Sequence, residues 1–424
     1  SGDVKKADSF ASGHDRRSEE EVDLLSEKEE TENNYIISRM NSIFDIILEG
    51  YKNKKTYVNL SRLSNYDNSE KPNFSKLEDC KKEYDKLFEE FSYRVSELKY
   101  QSYEELYQLL YPLIKEYTCT IPSSTYNISI PTVSLFDHLK LTTAIGNCLK
   151  GNYDEKGKTL LIVEYDLSGI QKFIFQITEG TETKDKVSKS LRTRSLYLNM
   201  LCDFIACSIL NEFDLTYDNI LYSSGGKGQV LLTNTEDTKE KLKKLTNRIV
   251  KSIYKNHGTD LFFAFTSREI SIDDLIKANF RDLMHYESES KEVLTSKKQR
   301  YNSLFKDDDF TFVEDKNTKP CILCSSTNDS NSDTCTLCRK LLKLNDDILA
   351  KSNQFVVEFS FNQTKKEDAI SFNFDDLGTI NYYKKFNGKI NQGSYYYSIN
   401  NSEIGEIKYY AQSNISGISF EEIG

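Results

Sequence analysis

The segments TLLIVEYDLSG (159–169) and NILYSSGGKGQVLLT (219–233) decide the fold of the central part of this chain. The first segment opens with an unbroken apolar run of strand length, which is typical of a central strand. The second contains two strands, and the glycines between them favour a tight hairpin because glycine tolerates positive φ. Between the two segments, SLRTRSLYLNMLCDFIACSIL (190–210) is apolar on most sides and predicts a largely buried helix.

A further helix and strand complete the unit. Leu242, Leu245, Ile249 and Ile253 recur at helical spacing, and DLFFAFTS (260–267) follows as another strand. The predicted order is βαββαβ, the split pattern of ferredoxin-like domains, which also forms the palm of many nucleotidyl polymerases and cyclases. The order alone assigns no function, because this fold hosts many.

The flanking regions differ in pattern. Residues 35–120 predict mainly helices, including YIISRMNSIFDIILEGY (35–51), so 41–150 is interpreted as a helical region. Four alternating segments after residue 350 predict a β-rich tail: FVVEFSFN, AISFNF, GTINYYKKF and SYYYSI. The predicted fold class is therefore α+β.

Composition excludes several classes. The 424 residues are 38% hydrophobic, too apolar for a disordered chain, and no run of roughly 18 apolar residues predicts a membrane span. The opening SGDVKKADSF has no apolar core of a secretory signal. The net charge of −10 argues against broad nucleic-acid binding but allows a local basic groove. Nine cysteines, four of them clustered, indicate a reducing cytoplasm with one metal site.

The cysteine cluster is the strongest local signal. Cys321, Cys324, Cys335 and Cys338 form two Cys-x2-Cys pairs separated by ten residues. Two such pairs can present four thiolates to one tetrahedral ion, so the spacing predicts a structural zinc site. An iron–sulfur cluster and a chance grouping of cysteines are the alternatives.

The end of the first strand and the glycine hairpin form a second candidate site. In a polymerase-like palm both face the same site, and catalytic palms place carboxylates at both to hold two metal ions. Here the strand ends in Asp166, while the hairpin offers Gly225, Gly226 and Lys227 and no acid. One carboxylate is too few for two metals, but the backbone amides after Asp166 and the lysine would suit a phosphate. Alternatively, DLSG is only a helix cap and the glycines only turn the chain.

A basic segment precedes the long helix. Its cations are Lys184, Lys186, Lys189, Arg192 and Arg194. They could contact a nucleic-acid backbone or a triphosphate. The alternative is a solvated helix start.

The order of these motifs resembles a known family, the large signature subunit of type III-A (Csm) CRISPR effector complexes. The matching blocks are KKADSFASGHDRR (5–17), VSLFDHLKLTTAI (133–145), YDLSGIQKFIF (165–175), LRTRSLYLNML (191–201), ILYSSGGKGQVLL (220–232) and the four cysteines. The resemblance implies an antiviral protein with an HD nuclease domain, a first palm, a zinc-containing domain, a second palm and a helical C-terminal domain. The second palm of the family polymerises ATP into cyclic oligoadenylate, and its HD domain cuts single-stranded DNA.

The resemblance also implies partners and cofactors. The partners are the second palm and C-terminal part of the same subunit, other Csm subunits, guide RNA and target RNA, with single-stranded DNA reached through the HD domain and no membrane. The cofactors are structural Zn²⁺, and ATP with Mg²⁺ or Mn²⁺ only when a second palm is paired with the first.

Site residues follow from the motifs. Carried over by the resemblance, the residues beside the nucleotide are Asp166, Ser168, Gly169, Ile170, Gln171 and Phe173, with Gly225, Gly226 and Lys227 in the hairpin; none is assigned a catalytic role. The domains implied are an HD remnant and linker (1–40), the helical region (41–150), the first palm (151–290), a zinc-binding helical domain (291–350) and a β-rich segment (351–424).

Departures from the family pattern limit the expected activity. The sequence contains no GGDD, and it begins within a block that resembles the end of the HD domain. We therefore expect a piece of a longer subunit or a degenerate scaffold, with little synthase or nuclease activity by itself. A non-enzymatic zinc-ribbon module that binds RNA or protein is the alternative, whereas the missing carboxylates argue against a stand-alone cyclase.

Overall fold

A computed structural model describes residues 2–15, 38–44, 56–71, 73–124, 131–149, 157–176, 184–276, 291–306, 319–328, 332–362, 366 and 368–410. The helices are α1 (Gly2–Asp15), α2 (Leu77–Ser96), α3 (Tyr103–Thr118), α4 (Leu135–Leu149), α5 (Ile170–Phe175), α6 (Lys184–Phe213), α7 (Glu236–His257), α8 (Ile272–Ile276), α9 (Lys291–Lys298), α10 (Asn302–Lys306) and α11 (Thr336–Leu344). The strands are β1 (Met40–Asn41), β2 (Tyr57–Val58), β3 (Asn68–Ser69), β4 (Leu160–Ser168), β5 (Ile220–Ser224), β6 (Lys227–Thr233), β7 (Phe262–Ile270), β8 (Lys319–Pro320), β9 (Thr327–Asn328), β10 (Phe355–Ser360), β11 (Ala369–Asn373), β12 (Thr379–Tyr383), β13 (Ser394–Ile399) and β14 (Glu406–Lys408).

The central sheet has four strands in the order β5-β6-β4-β7. Every neighbouring pair is antiparallel, and Val163 on β4 lies opposite Val230 on β6 and Ser267 on β7. Along the chain its elements follow as β4, α6, β5, β6, α7 and β7, with the short α5 added after β4. The α+β class is confirmed.

Strand β4 is apolar throughout its first half because both of its faces are covered. Leu161 and Val163 belong to the main core with α6 and α7, whereas Leu160 and Ile162 pack with residues of α1 and α4. Alternate side chains of a strand point to opposite faces, so a strand buried on both sides reads as one apolar run. The second face becomes polar from the middle of the strand onward, starting at Glu164.

Helix α6 lies between two sheets. Its apolar residues share one core with Val163 of the central sheet and with Val357 and Phe359 of the C-terminal sheet, and the rings of Phe204 and Phe359 are 5.7 Å apart. Residues 189–213 are long and apolar enough to cross a membrane, but 78% of the relevant window is buried. Packing on opposite sides explains why the helix is apolar all round.

The C-terminal sheet has five strands in the order β11-β12-β10-β13-β14. The four strands predicted from alternation are confirmed as β10 to β13. β14 was not predicted; it is three residues long and pairs in parallel with β13.

The N-terminal part contains more than helices. Helix α2 packs against α3, and α1 packs against α4, where His138 Nε2 lies 3.1 Å from Asp8 Oδ1. The helix predicted over 35–51 is wrong at Met40–Asn41, which form β1 of a three-stranded sheet with β2 and β3. The Asn41 amide donates to the Pro131 carbonyl at 2.7 Å, so tertiary pairing overrides the local helical pattern there. Residues 35–37 and 45–51 lie outside the described residues.

Candidate functional site

The end of β4 and the glycine hairpin lie side by side, as the sequence predicted. Asp166 is opposite Lys227 in the β4–β6 register. The next residue, Leu167, donates its amide to the Gly226 carbonyl at 2.7 Å. The strand end and the hairpin therefore form one surface, which we call the strand-tip site: Asp166 to Gln171 with Gly225 to Lys227.

The hairpin turn requires its glycines. Gly225 and Gly226 have φ values of 62° and 86°, the signature of a two-residue type I′ turn. A Cβ atom on Gly226 would lie 2.3 Å from Ile170 Cδ1, whereas a Cβ on Gly225 would meet nothing within 4 Å. Gly226 thus lets the turn pack directly against the start of α5.

Gly169 makes the turn from β4 into α5. Its φ is 96°, and a Cβ atom there would lie 1.9 Å from the backbone oxygen of Asp260. Gly169 precedes the helix without a side-chain cap, and α5 is only six residues long. A helix this short has a weak dipole, so side-chain cations are better candidates to hold an anion than its amides.

Two lysines flank the Asp166 carboxylate. Lys297 Nζ lies 3.0 Å from Oδ1 and Lys227 Nζ lies 3.6 Å from Oδ2, while the Asp166 side chain is 9% exposed. These three groups sum to +1, but the buried Glu164 carboxylate on the same face adds a further negative charge. The groups that could contact an anionic ligand are therefore the two lysines themselves, and not a net positive charge of the site. Lys297 belongs to α9, far along the chain, and sequence reasoning missed it because no local motif marks it.

The same sheet face carries further polar groups below Asp166. Glu164 is buried and accepts a hydrogen bond from Gln229 Nε2 at 3.2 Å. Burial, with the negative charges of Glu164 and Asp166 nearby, raises the pKa of Tyr222 to about 12. Sequence reasoning counted one carboxylate here, but Glu164 and Asp166 are two residues apart on a strand and share a face, so the alternation could have revealed both. The strand tip is not a cluster of metal ligands. Within the described residues, the four cysteines are the only group of three or more His, Cys, Asp or Glu side chains close enough to hold one metal ion.

The other predicted residues of the strand tip divide into two kinds. Ser168, Gly169 and Ile170 are half-buried, and Gln171 is exposed, so all four border the surface. Phe173 is 3% exposed; its ring stacks on Tyr197 in the core. The period of α5 turns the Phe173 side chain inward, and its place beside a nucleotide stays a prediction.

A buried polar chain supports the hairpin from below. Tyr165 Oη lies 2.9 Å from Ser223 Oγ, which donates to Asp203 Oδ1 at 2.6 Å. Lys408 on β14 binds both Asp203 Oδ1 and the Ser223 carbonyl at 3.0 Å. The C-terminal sheet therefore holds the strand that leads into the glycine turn.

The basic segment does not form one exposed patch. Arg194 is 1% exposed and donates to the Phe173 carbonyl at 2.6 Å, so its guanidinium is engaged inside the protein, and a nucleic-acid or phosphate contact stays a prediction. Its side chain faces the core because α6 is buried at that turn. Arg192 is half-buried, and Lys189 Nζ lies 3.9 Å from Asp346 Oδ1. Lys184 and Lys186 begin α6, but their side chains lie outside the described part.

The four predicted cysteines come together. The Sγ atoms of Cys321, Cys324, Cys335 and Cys338 all lie within 4.8 Å of one another, and all four residues are buried. Cys324 Sγ and Cys335 Sγ are 3.8 Å apart. A tetrahedral site with Zn–S bonds of about 2.3 Å has sulfur–sulfur edges of about 3.8 Å, so the donor set fits one tetrahedral ion.

Local structure explains how the cysteines converge. The first pair stands between β8 and β9, and the second pair opens α11. Cys335 caps α11 by accepting from the Cys338 amide, while its own amide donates to Cys321 Sγ at 3.2 Å. Amide donors of this kind stabilise thiolates, as metal-bound sulfurs require.

Comparison with known proteins gives consistent matches. The family model described as "Csm1 subunit domain B" matches residues 159–316. The chain is 29% identical over 272 residues to the Cas10/Csm1 single-strand-specific deoxyribonuclease of Mycobacterium tuberculosis, covering 56% of this chain and 33% of the relative. It is 30% identical over 253 residues to the Enterococcus italicus protein of the same name, covering 54% and 32%. The aligned part thus spans about a third of the length of these curated relatives.

Solved structures show the same fold. A Csm1–Csm4 subcomplex of the type III-A interference complex has a TM-score of 0.62 at 19% identity, covering 96% of this chain and 47% of the other. A Csm1–Csm4 cassette in complex with one ATP has a TM-score of 0.61 with the same identity and coverage. Fold and site together define an α+β protein of packed, mostly antiparallel sheets with a four-cysteine cluster. Over about half of its length the chain is similar to Cas10/Csm1 proteins of subtype III-A CRISPR systems.

Proposed function

We propose that residues 151–290 are a ferredoxin-like palm that supplies one half of an ATP site for cyclic oligoadenylate synthesis. The observation that carries the proposal is the Asp166 carboxylate held between Lys227 and Lys297 beside the glycine turn. The antiparallel order β5-β6-β4-β7 supports the palm assignment, since ferredoxin-like βαββαβ units have this strand order. A family relative in complex with one ATP supports the choice of ligand.

The chemistry of the strand tip suits substrate binding. The two lysines can exchange their ion pairs with Asp166 for contacts to a triphosphate, because a polyanion competes strongly for ammonium groups. Before a triphosphate binds, the Asp166 carboxylate holds the side chains of Lys227 and Lys297 in place. The hairpin carries no acid, so metal-assisted attack belongs to a second palm that meets this one. Bound there with ATP, Mg²⁺ or Mn²⁺ would offset the developing phosphate charge.

The proposed role of the chain in a larger complex is based on its similarity to Cas10/Csm1 proteins. We propose that the chain serves as part of the large subunit of an RNA-guided antiviral complex and as a scaffold within it. Its partners there are a Csm4-type subunit, guide RNA and target RNA, with single-stranded DNA cut by the HD domain of the subunit. Structures of Csm1–Csm4 pairs support the protein partner. We propose four further regions with the boundaries predicted from the sequence. They are an HD remnant and linker (1–40), a helical region (41–150), a zinc-binding helical domain (291–350) and a β-rich segment (351–424).

Binding of a fluorescent ATP analogue tests the half-site. In a mixture of the full chain with a second-palm fragment, Lys227→Met with Lys297→Met is expected to weaken binding of N-methylanthraniloyl-ATP about 100-fold, since each charge-assisted contact contributes about 1.5 kcal/mol. Lys241→Met with Lys351→Met is the matched control. It removes the same charge from two lysines paired with Asp237 and Asp347 on the protein surface, and should change affinity less than about twofold.

Two results would count against the half-site. One is equal weakening by both double variants, which would indicate a diffuse charge effect. The other is wild-type protein that binds RNA with a steep salt dependence but no ATP analogue, as expected for the RNA-binding alternative. The burial of Arg194 already weakens that alternative, because it removes one cation from the basic segment.

We further propose that the cysteine cluster holds a structural zinc ion. Four buried thiolates leave no open coordination position, so the ion would link β8–β9 to α11 and take no part in chemistry. Metal analysis of purified protein is expected to give about one zinc per chain. Less than half a zinc per chain, or iron in its place, would overturn the assignment.

A further inference from the structure

Arg194 is the largest side chain that is almost completely buried, with 1% exposure. Its guanidinium donates to three acceptors: the Phe173 carbonyl at 2.6 Å, Ser190 Oγ at 3.2 Å and Cys338 Sγ at 3.3 Å. It also lies 5.0 Å from the centre of the Phe173 ring. None of these acceptors is a carboxylate, and no ion pair is found for Arg194 in the described part of the chain.

A buried cation without a counter-charge is costly. The penalty for moving an unpaired guanidinium out of water is several kcal/mol, and hydrogen bonds to neutral acceptors offset only part of it. Arginine keeps its charge under all conditions that a folded protein meets. The missing negative charge must therefore come from one of the three acceptors.

The sulfur is the acceptor that can supply it. When a divalent ion is bound by four thiolates, the group has a net charge of about −2. We infer that Arg194 is the counter-charge of the metal centre, donating an N–H···S hydrogen bond to Cys338 without binding the metal itself. The inference rests on the proposed metal site and assigns Arg194 the role of a positioning residue.

Arg194 also contacts α5, the helix that borders the strand-tip site. The Phe173 carbonyl belongs to α5, the helix that starts at Ile170 against the glycine turn. Gln176, just after α5, donates in addition to the Cys324 carbonyl at 2.8 Å. Two contacts therefore join the metal centre to α5, so the cysteine cluster fixes the position of the helix that borders the strand tip.

Cobalt substitution tests this role. In the full chain, Co²⁺ bound by thiolates has a charge-transfer absorption that responds to hydrogen bonding at sulfur. Arg194→Met is expected to shift that band and to weaken metal retention against a chelator about 10- to 100-fold, the usual loss when a supporting hydrogen bond to a metal ligand is removed. Ser190→Ala is the control, because it removes another partner of Arg194 and leaves the N–H···S bond intact. Arg194→Lys retains the charge and should retain metal better than Arg194→Met.

The outcomes separate the two proposals. If the wild-type chain takes up no Co²⁺, both the metal site and the role of Arg194 fail. If it binds Co²⁺ with the same spectrum and release rate in wild type and in Arg194→Met, only the role of Arg194 fails. Should Arg194→Met not fold, Arg194→Gln takes its place, because it also removes the charge: faster metal release than in Ser190→Ala supports the inference, and release equal to that of wild type overturns it.

Discussion

Replacing Gly169 by alanine is expected to destabilise the protein by roughly 3–5 kcal/mol. Two costs add at this position. A non-glycine residue at a φ of 96° is strained, and the new Cβ would lie 1.9 Å from the backbone oxygen of Asp260. Because the overlap is with backbone, no side-chain rotation relieves it; the turn into α5 must open. Urea unfolding followed by circular dichroism measures the change.

Gly225→Ala provides the matched control for this prediction. Its φ of 62° imposes the left-handed strain, but a Cβ there meets nothing within 4 Å. A loss of about 1 kcal/mol is expected. If the two variants unfold at the same urea concentration, the close approach of Gly169 to Asp260 does not contribute to stability.

The second large effect is expected at Asp203. Asp203→Ala should destabilise the protein by roughly 3–5 kcal/mol, because it leaves the Lys408 ammonium without its counter-charge in a mostly buried position. It also removes the acceptor of the Ser223 hydroxyl beneath the hairpin. Thermal and urea unfolding of the full chain give the magnitude.

The double variant Asp203→Leu with Lys408→Met separates charge from packing. Desolvation raises the pKa of the Asp203 carboxyl despite the nearby Lys408, so burying this ion pair is itself costly. An apolar pair should therefore recover most of the stability lost in Asp203→Ala, to within about 1–2 kcal/mol of wild type. A double variant no more stable than Asp203→Ala would mean that the hydrogen bond from Ser223, and not the ion pair, is the important contact.

Several features of the fold and site could be predicted from the sequence because their signals are local. The apolar run of β4, the glycine hairpin and the cysteine spacing each depend on residues close together in the chain. Lys297 could not be found this way, since its contact with Asp166 depends on how α9 packs against β7. The burial of Arg194 could not be predicted for a related reason. Its guanidinium contacts Cys338, which is distant in sequence, so the basic segment alone gives no sign that this cation is buried. Met40 and Asn41 join a sheet because strands distant in sequence pair with them.

Helix α6 has a consequence for how the chain can be divided. Its residues contribute to one apolar core together with both the central sheet and the C-terminal sheet. A shortened polypeptide ending before residue 355 would leave one side of this helix facing water, with aromatic rings such as Phe204 uncovered. Such a fragment would lower its free energy by self-association, so soluble truncations should be designed to keep both sheets.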